Sequence, residues 1–484
     1  MRSEETARKR LDAAEKQSNF MRKNTRGPGD SPFHSVKSGG SGGGGFDATA
    51  KGVSLASSGS MEDLSEVWMV FNDVKEMMIK IKKDVLRFSF PAVATDVQVM
   101  VDDYTTRLLP TLLAEDRETV IEQFLDANHA LCSSPEYQEK VRTTVTGLSA
   151  EDIVKLLRKH VKKQATSLGY NQPGVVEIEF ERTLRIPDDG KTYHLPPSLG
   201  RFPLRHVEDY SGRVPLEWKQ RGGVLMPMYQ AEALWLYFQC RYPFAIKIGA
   251  GKINAVSGES WKSGLSRDPQ DYVVTPDQPW LDGFVVEKGV IRQFVAMALG
   301  AGYSIEEQLS GKGEFGGIQL QAIPMKAQSF FEKELLPELP KRLADILEEL
   351  LPPWRTESGI DCCRCCESPA MGLGAGGRMK QEIYADPYDL EDWDMDQTSR
   401  CFVHLCDALL WREITGENPP QTPLTVREYE RAGFPWFDYY RDDLAVLEGS
   451  KTLAGAKSVQ TISQQKGDQA VTWIEVDRLR RGRP

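Results

Sequence analysis

The sequence is short of histidine, of evenly spaced cysteine and of long apolar runs, and each shortage removes a class of function. Its six histidines are scattered over 484 residues and no Gly-x-Ser-x-Gly elbow occurs, so a nucleophile set beside a base has no visible signature. Charged residues interrupt the apolar stretches well before the roughly 20 residues that a transmembrane helix needs. No transmembrane segment is expected. The N-terminal residues 1–20 carry acids throughout and no apolar core, unlike a secretory signal. Of eight cysteines, four crowd into Cys362-Cys363-Arg364-Cys365-Cys366, which is not the spaced framework of a secreted disulfide scaffold. This points to a reducing, cytoplasmic setting. A net charge of −10 argues against a general polyanion-binding surface. The terminal arginines Arg478, Arg480, Arg481 and Arg483 offer only modest counterion release, so nucleic acid is not an expected partner.

What the chain does contain divides it into segments. Residues 1–60 read as a disordered tail ending in a Gly/Ser linker with a glycine run at 39–45. Then Leu64, Val67, Phe71, Val74, Met78, Ile81, Val85 and Phe88 follow one another at alternating spacings of three and four. This is a heptad seam predicting one continuous helix over 64–88, ended by Pro91, with self-association or a protein partner along it. Shorter helical stripes continue to about residue 168. Ser149 with Asp152 forms a plausible helix start. Together they suggest a helical bundle over 61–168.

From residue 174 the pattern changes to period two. Residues 175–184 alternate like a strand, and Pro187-Asp188-Asp189-Gly190 supplies turn chemistry for a hairpin. Short β-like runs recur at 224–228, 234–238, 244–248, 272–274, 284–286, 291–297 and 318–323. With their Gly and Pro punctuation they suggest an antiparallel sheet, sandwich or open barrel over 174–353, closed by a proline-interrupted helix at 330–351. Residues 354–380 read as a Cys/Gly-rich linker, 381–460 as a helical C-terminal segment packed on the sheet, and 461–484 as a tail. The expected fold class is α+β.

Three blocks in this region, YPFAIKIGAGKINAVSGE, IRQFVAMALGAGYSIEEQ and GGRMKQEIYADPYDLEDW, resemble a family of uncharacterised soluble proteins. The resemblance covers about 175–330 and 376–460. It implies a shared core and carries no activity, cofactor or catalytic residue.

Several motifs approach a known chemistry and stop short. Gly249-Ala250-Gly251-Lys252 is followed by Ile253 where a phosphate loop requires Ser or Thr, so a tight turn between strands is the better reading. Gly372-Leu373-Gly374-Ala375-Gly376-Gly377 has dinucleotide-loop spacing without a preceding strand pattern, and reads as a hinge. Two overlapping Cys-x-x-Cys spacings in Cys362, Cys363, Cys365 and Cys366 could join Cys401, His404 or Cys406 around zinc. Against that, 401–406 reads as an amphipathic helix with an apolar core face. In the central module Lys252, Glu259, Asp271, Asp282 and Arg292 are interleaved with Trp280. A concave sheet face carrying these groups could bind a polar ligand or do acid–base work. The leading functional expectation is a binding or assembly protein. The alternative is an enzyme acting on a small polar substrate through those side chains.

Overall fold

The computed structural model describes residues 79–82, 84–128, 135–167, 174–196, 198–347, 350, 368–418, 420, 423 and 444–467. The first described elements overturn part of the heptad reading. Strands β1 (Ile79–Lys82) and β2 (Val85–Ser89) form an antiparallel hairpin. It turns at Asp84, which has a φ of 62°. Ile-Lys-Ile-Lys and Leu-Arg-Phe-Ser alternate with period two, so Ile81 and Phe88 satisfy a helical spacing and, with Leu86, a strand spacing at once, whereas Val85 falls on the other face. Pairing with the sheet decides between them. Leu86 and Phe88 end fully buried in the core and are not free to face a partner. Residues 64–78 lie outside the described residues.

Pro91 opens a helix instead of ending one, as its missing N–H allows in a first turn. Helices α1 (Pro91–Ala114), α2 (Arg117–Ala127), α3 (Pro135–Thr146) and α4 (Ala150–Ser167) follow. Asp116 caps α2 by accepting from the Thr119 N–H at 3.0 Å. Ser149 and Asp152 exchange hydrogen bonds at the start of α4, as their spacing predicts. The buried stripes of these helices belong to the same apolar cluster as the strands. Phe90 packs on Phe244 at 5.6 Å and Tyr104 on Phe331 at 6.2 Å, so helices and sheet share one interior instead of each closing its own.

The strands that follow are β3 (Val175–Thr183), β4 (Thr192–Tyr193), β5 (Ser198–Arg201), β6 (Arg205–His206), β7 (Val224–Pro227), β8 (Ala233–Gln239), β9 (Phe244–Ala250) and β10 (Ile253–Asn254). After them come β11 (Val273–Thr275), β12 (Trp280–Leu281), β13 (Gly283–Glu287), β14 (Val290–Ala298), β15 (Ile318–Pro324), β16 (Ser368–Lys380) and β17 (Ser399–Asp407). All belong to one hydrogen-bonded sheet. Antiparallel pairing runs from β2 through β3, β8, β14, β16, β17 and β15 to β9. The two parallel contacts are β4 on β16 and β7 on β17. Thus β4 does not return on β3 as the turn at 187–190 suggested. Gly251 and Lys252 make the two-residue turn between β9 and β10, with φ of 54° and 64°.

Two further expectations change. Residues 368–380 are not linker but a strand inside the sheet, between β14 and β17; residues 351–367 lie outside the described residues. Its glycines answer to close approach, since a Cβ on Gly374 would stand 2.9 Å from Val459 Cγ2 and one on Gly376 would stand 2.6 Å from Val295 Cγ2. Residues 401–406 are strand, not helix, so the segment after 381 contributes a central strand before its helices.

Candidate functional site

Strand β3 reads Val-Val-Glu-Ile-Glu-Phe-Glu-Arg-Thr, and its alternation sorts the side chains. Val176, Ile178 and Phe180 are fully buried in the core, which leaves Glu177, Glu179 and Glu181 together on the opposite face. Residues directly opposite in an antiparallel pair share a face. Glu177 therefore stands with Gln239, Glu179 with Tyr237 and Glu181 with Trp235. Arg87 joins Glu177 from β2, Arg201 joins Glu181 from β5, and Trp280 joins Tyr237 from β12.

At the centre of this face Glu179 and Glu181 converge on the guanidinium of Arg201. Arg201 Nε lies 2.6 Å from Glu179 Oε2 and 3.4 Å from Glu181 Oε1. Gln239 Nε2 donates to Glu179 Oε1 at 2.9 Å, and Ser198 Oγ donates to Glu181 Oε2. Burial pushes both carboxyl groups above their usual range, and the charge of Glu181 adds to the rise at Glu179. The Arg201 guanidinium beside them opposes that rise at both. Tyr237 is pushed up to about 12 by burial and stays a neutral phenol. Trp235 meets Tyr237 at 5.9 Å and Trp280 at 6.3 Å, edge to face in both cases. Its indole Nε1 is buried with no hydrogen-bond acceptor among the described residues. Around this floor, Tyr237, Gln239, Arg201 and Glu177 keep part of their surface open.

The residues singled out from the sequence are placed differently. Asp271 forms a 2.5 Å ion pair with Lys247, whose ammonium also donates to the carbonyls of Lys262 and Gly264 at 2.8 and 2.7 Å. Burial lowers Lys247 and raises Asp271. The pair fastens the 262–271 loop to β9. Glu259 meets Lys262 at the surface at 2.7 Å, and Lys252 Nζ sits 3.7 Å above the Phe315 ring. Asp282 is buried and accepts from Gln381 Nε2 at 2.8 Å; burial pushes it up to about 7. Arg292 lies near Asp188. Of the six, Trp280 alone borders the carboxyl pair.

The proposed metal ligands also separate. Cys362, Cys363, Cys365 and Cys366 lie outside the described residues. Cys401 faces the main core, while Cys406 belongs to a smaller cluster with Trp218 and Trp411. His404 bonds the Gly222 carbonyl through Nε2 at 2.9 Å and stacks on Trp218 at 4.9 Å. Burial depresses it to about 3 and raises Cys401 to about 12. Alternation along β17 sends Cys401 and His404 to opposite faces, and among the described residues no three His, Cys, Asp or Glu side chains gather as a metal site.

Sequence reasoning missed Glu179, Glu181, Arg201, Trp235 and Tyr237. The glutamates left a signal, three acids at every second residue of a strand whose other positions are apolar. Arg201 left none, because its approach depends on β5 folding back on β3. Compared with protein-family models, curated proteins and solved structures, the chain matches none.

Proposed function

We propose that this protein is a binding protein whose β-rich body takes a small, neutral, polyhydroxylated ligand on the face built by β3, β5, β8 and β12. The observation that carries the reading is the buried Glu179–Glu181 pair, held by Arg201, next to Trp235, whose buried indole N–H has no acceptor among the described residues. Carboxyl, amide and guanidinium groups can give and take hydrogen bonds with vicinal hydroxyls, while the part-exposed Tyr237, backed by the buried Trp235 and Trp280, offers apolar surface for the C–H face of a ring. Charge balance selects neutrality. Burial disfavours charge on both acids and Arg201 already stands beside them, so a cation would have to displace Arg201 and an anion would meet the carboxyl pair.

Binding fits better than hydrolysis. A glycosidase sets its two carboxyl groups on either side of the scissile bond, whereas these two leave the same face of one strand and converge on Arg201. The scatter of Lys252, Glu259, Asp271, Asp282 and Arg292 among separate partners also weakens the enzyme alternative. The test is titration with a panel of mono- and disaccharides, inositol and glycerol, followed by tryptophan fluorescence. Saturable change that W235F and E181Q weaken is the expected result. A folded wild-type protein that responds to no member of the panel would sink the proposal.

A further inference from the structure

Arg292 on β14 and Arg378 on β16 stand directly opposite each other, yet their chemistry differs. Arg378 closes a two-bond fork on Glu287 at 2.8 and 2.7 Å. Arg292 makes no hydrogen bond to any described residue, although its side chain is only 17% exposed and its Nε and Nη1 are buried. Its nearest carboxylate oxygen, on Asp188, is 3.8 Å from Nη1, beyond hydrogen-bond reach. A buried guanidinium left unfilled costs more than an unfilled neutral donor, so native structures satisfy such groups. Arg185 also bears on Asp188, which places one carboxylate between two guanidinium groups. Asp189 and Glu287 also lie in this neighbourhood, Glu287 already taken by Arg378, so what Arg292 lacks is an acceptor for its Nε and Nη1 donors.

We propose that Arg292 anchors a site, separate from the polyol face, for the oxyanion group of a small ligand: a carboxylate or a phosphate. The fork geometry of the guanidinium suits either group through two parallel N–H···O bonds. Arg185 adds charge from the loop after β3, and Asp188, 3.8 Å from Nη1, leaves the fork of Arg292 unfilled.

The experiment titrates full-length protein with inorganic phosphate and, in parallel, with sodium acetate, both at constant ionic strength held with chloride. It reads the Arg292 Nε–H resonance, assigned through bonds from its own backbone, together with the melting temperature. A saturable shift with either anion supports the site, and the anion that acts names the source. R292K keeps the charge without the fork and is expected to bind roughly tenfold more weakly; if it does not fold, the wild-type resonance still decides. No shift with either anion, or an equal response to chloride, overturns the proposal. So does undiminished binding by R292K. W235F is expected to leave anion binding unchanged, and its loss there would show that the site is not separate.

Discussion

Glu179 and Glu181, two residues apart on β3, converge on Arg201 Nε at 2.6 and 3.4 Å on one face of the sheet. Burial raises both carboxyl groups, and Arg201 offsets the charge they carry. E179Q preserves a donor and an acceptor at that position. It should fold with stability within about 1 kcal/mol of wild type at mildly acidic pH, whereas E179A should lose roughly 1–3 kcal/mol through unsatisfied neighbours. Both acids are raised on folding, so their contribution is complete below the unfolded carboxylate range and is lost as pH climbs through the folded value. Urea denaturation between acidic and alkaline pH checks this, and E179Q should flatten the alkaline decline.

Asp282 gives a second pH signature. Its rise from 3.8 to about 7, at 1.36 kcal/mol per pH unit, corresponds to as much as ~4 kcal/mol of stability lost between acid and neutral pH. D282N imitates the protonated acid and keeps an oxygen for Gln381. The expected outcome is a variant no less stable than wild type at pH 8 and less dependent on pH. A pH-stability profile of D282N that superimposes on wild type would contradict it.

Lys247 and Asp271 are a buried pair, and breaking it strands one charge. K247M should cost about 3–5 kcal/mol. K247M/D271N should recover part of that loss, because the stranded carboxylate is gone. A double-mutant cycle in urea measures the coupling.

Phe88 separates the sheet reading of β2 from a helical seam. As a fully buried core residue its replacement in F88A should cost about 3–5 kcal/mol. Light scattering should give the same mass for F88A and wild type. A change of mass without a loss of stability would favour the seam.

His404 should stay neutral throughout the physiological range. Its folded value of about 3 lies below an ordinary 6.5, so its contribution is present above 6.5 and is lost as pH falls toward 3. The imidazole carbon-bound proton resonance should show no titration between pH 5 and 8.

Much of the strand pattern was legible in the chain. The runs near 224, 234, 244, 284, 291 and 318 all became strands, because Val, Ile, Phe and Leu at alternate or continuous positions between Gly and Pro leave few other options. The Ser149–Asp152 helix start was legible too, since capping is chemistry between near neighbours. Residues 79–88 were ambiguous because a spacing of three or four and a spacing of two select overlapping sets. Residues 368–380 misled for a different reason: glycine usually signals a joint, and here it admits neighbouring chain against the middle of a sheet.

The sequence by itself determined the α+β character, the alternation that separates core from face on β3, and the net acidity. Those follow from local periodicity and composition, which need no partner. Only the tertiary structure decided that Arg201 would bridge Glu179 and Glu181, that Trp235 and Trp280 would stand beside them, and that Arg292 would have no hydrogen-bond partner among the described residues opposite the saturated Arg378. Each of these depends on strand register between segments far apart in the chain, and register is set by the whole buried surface at once.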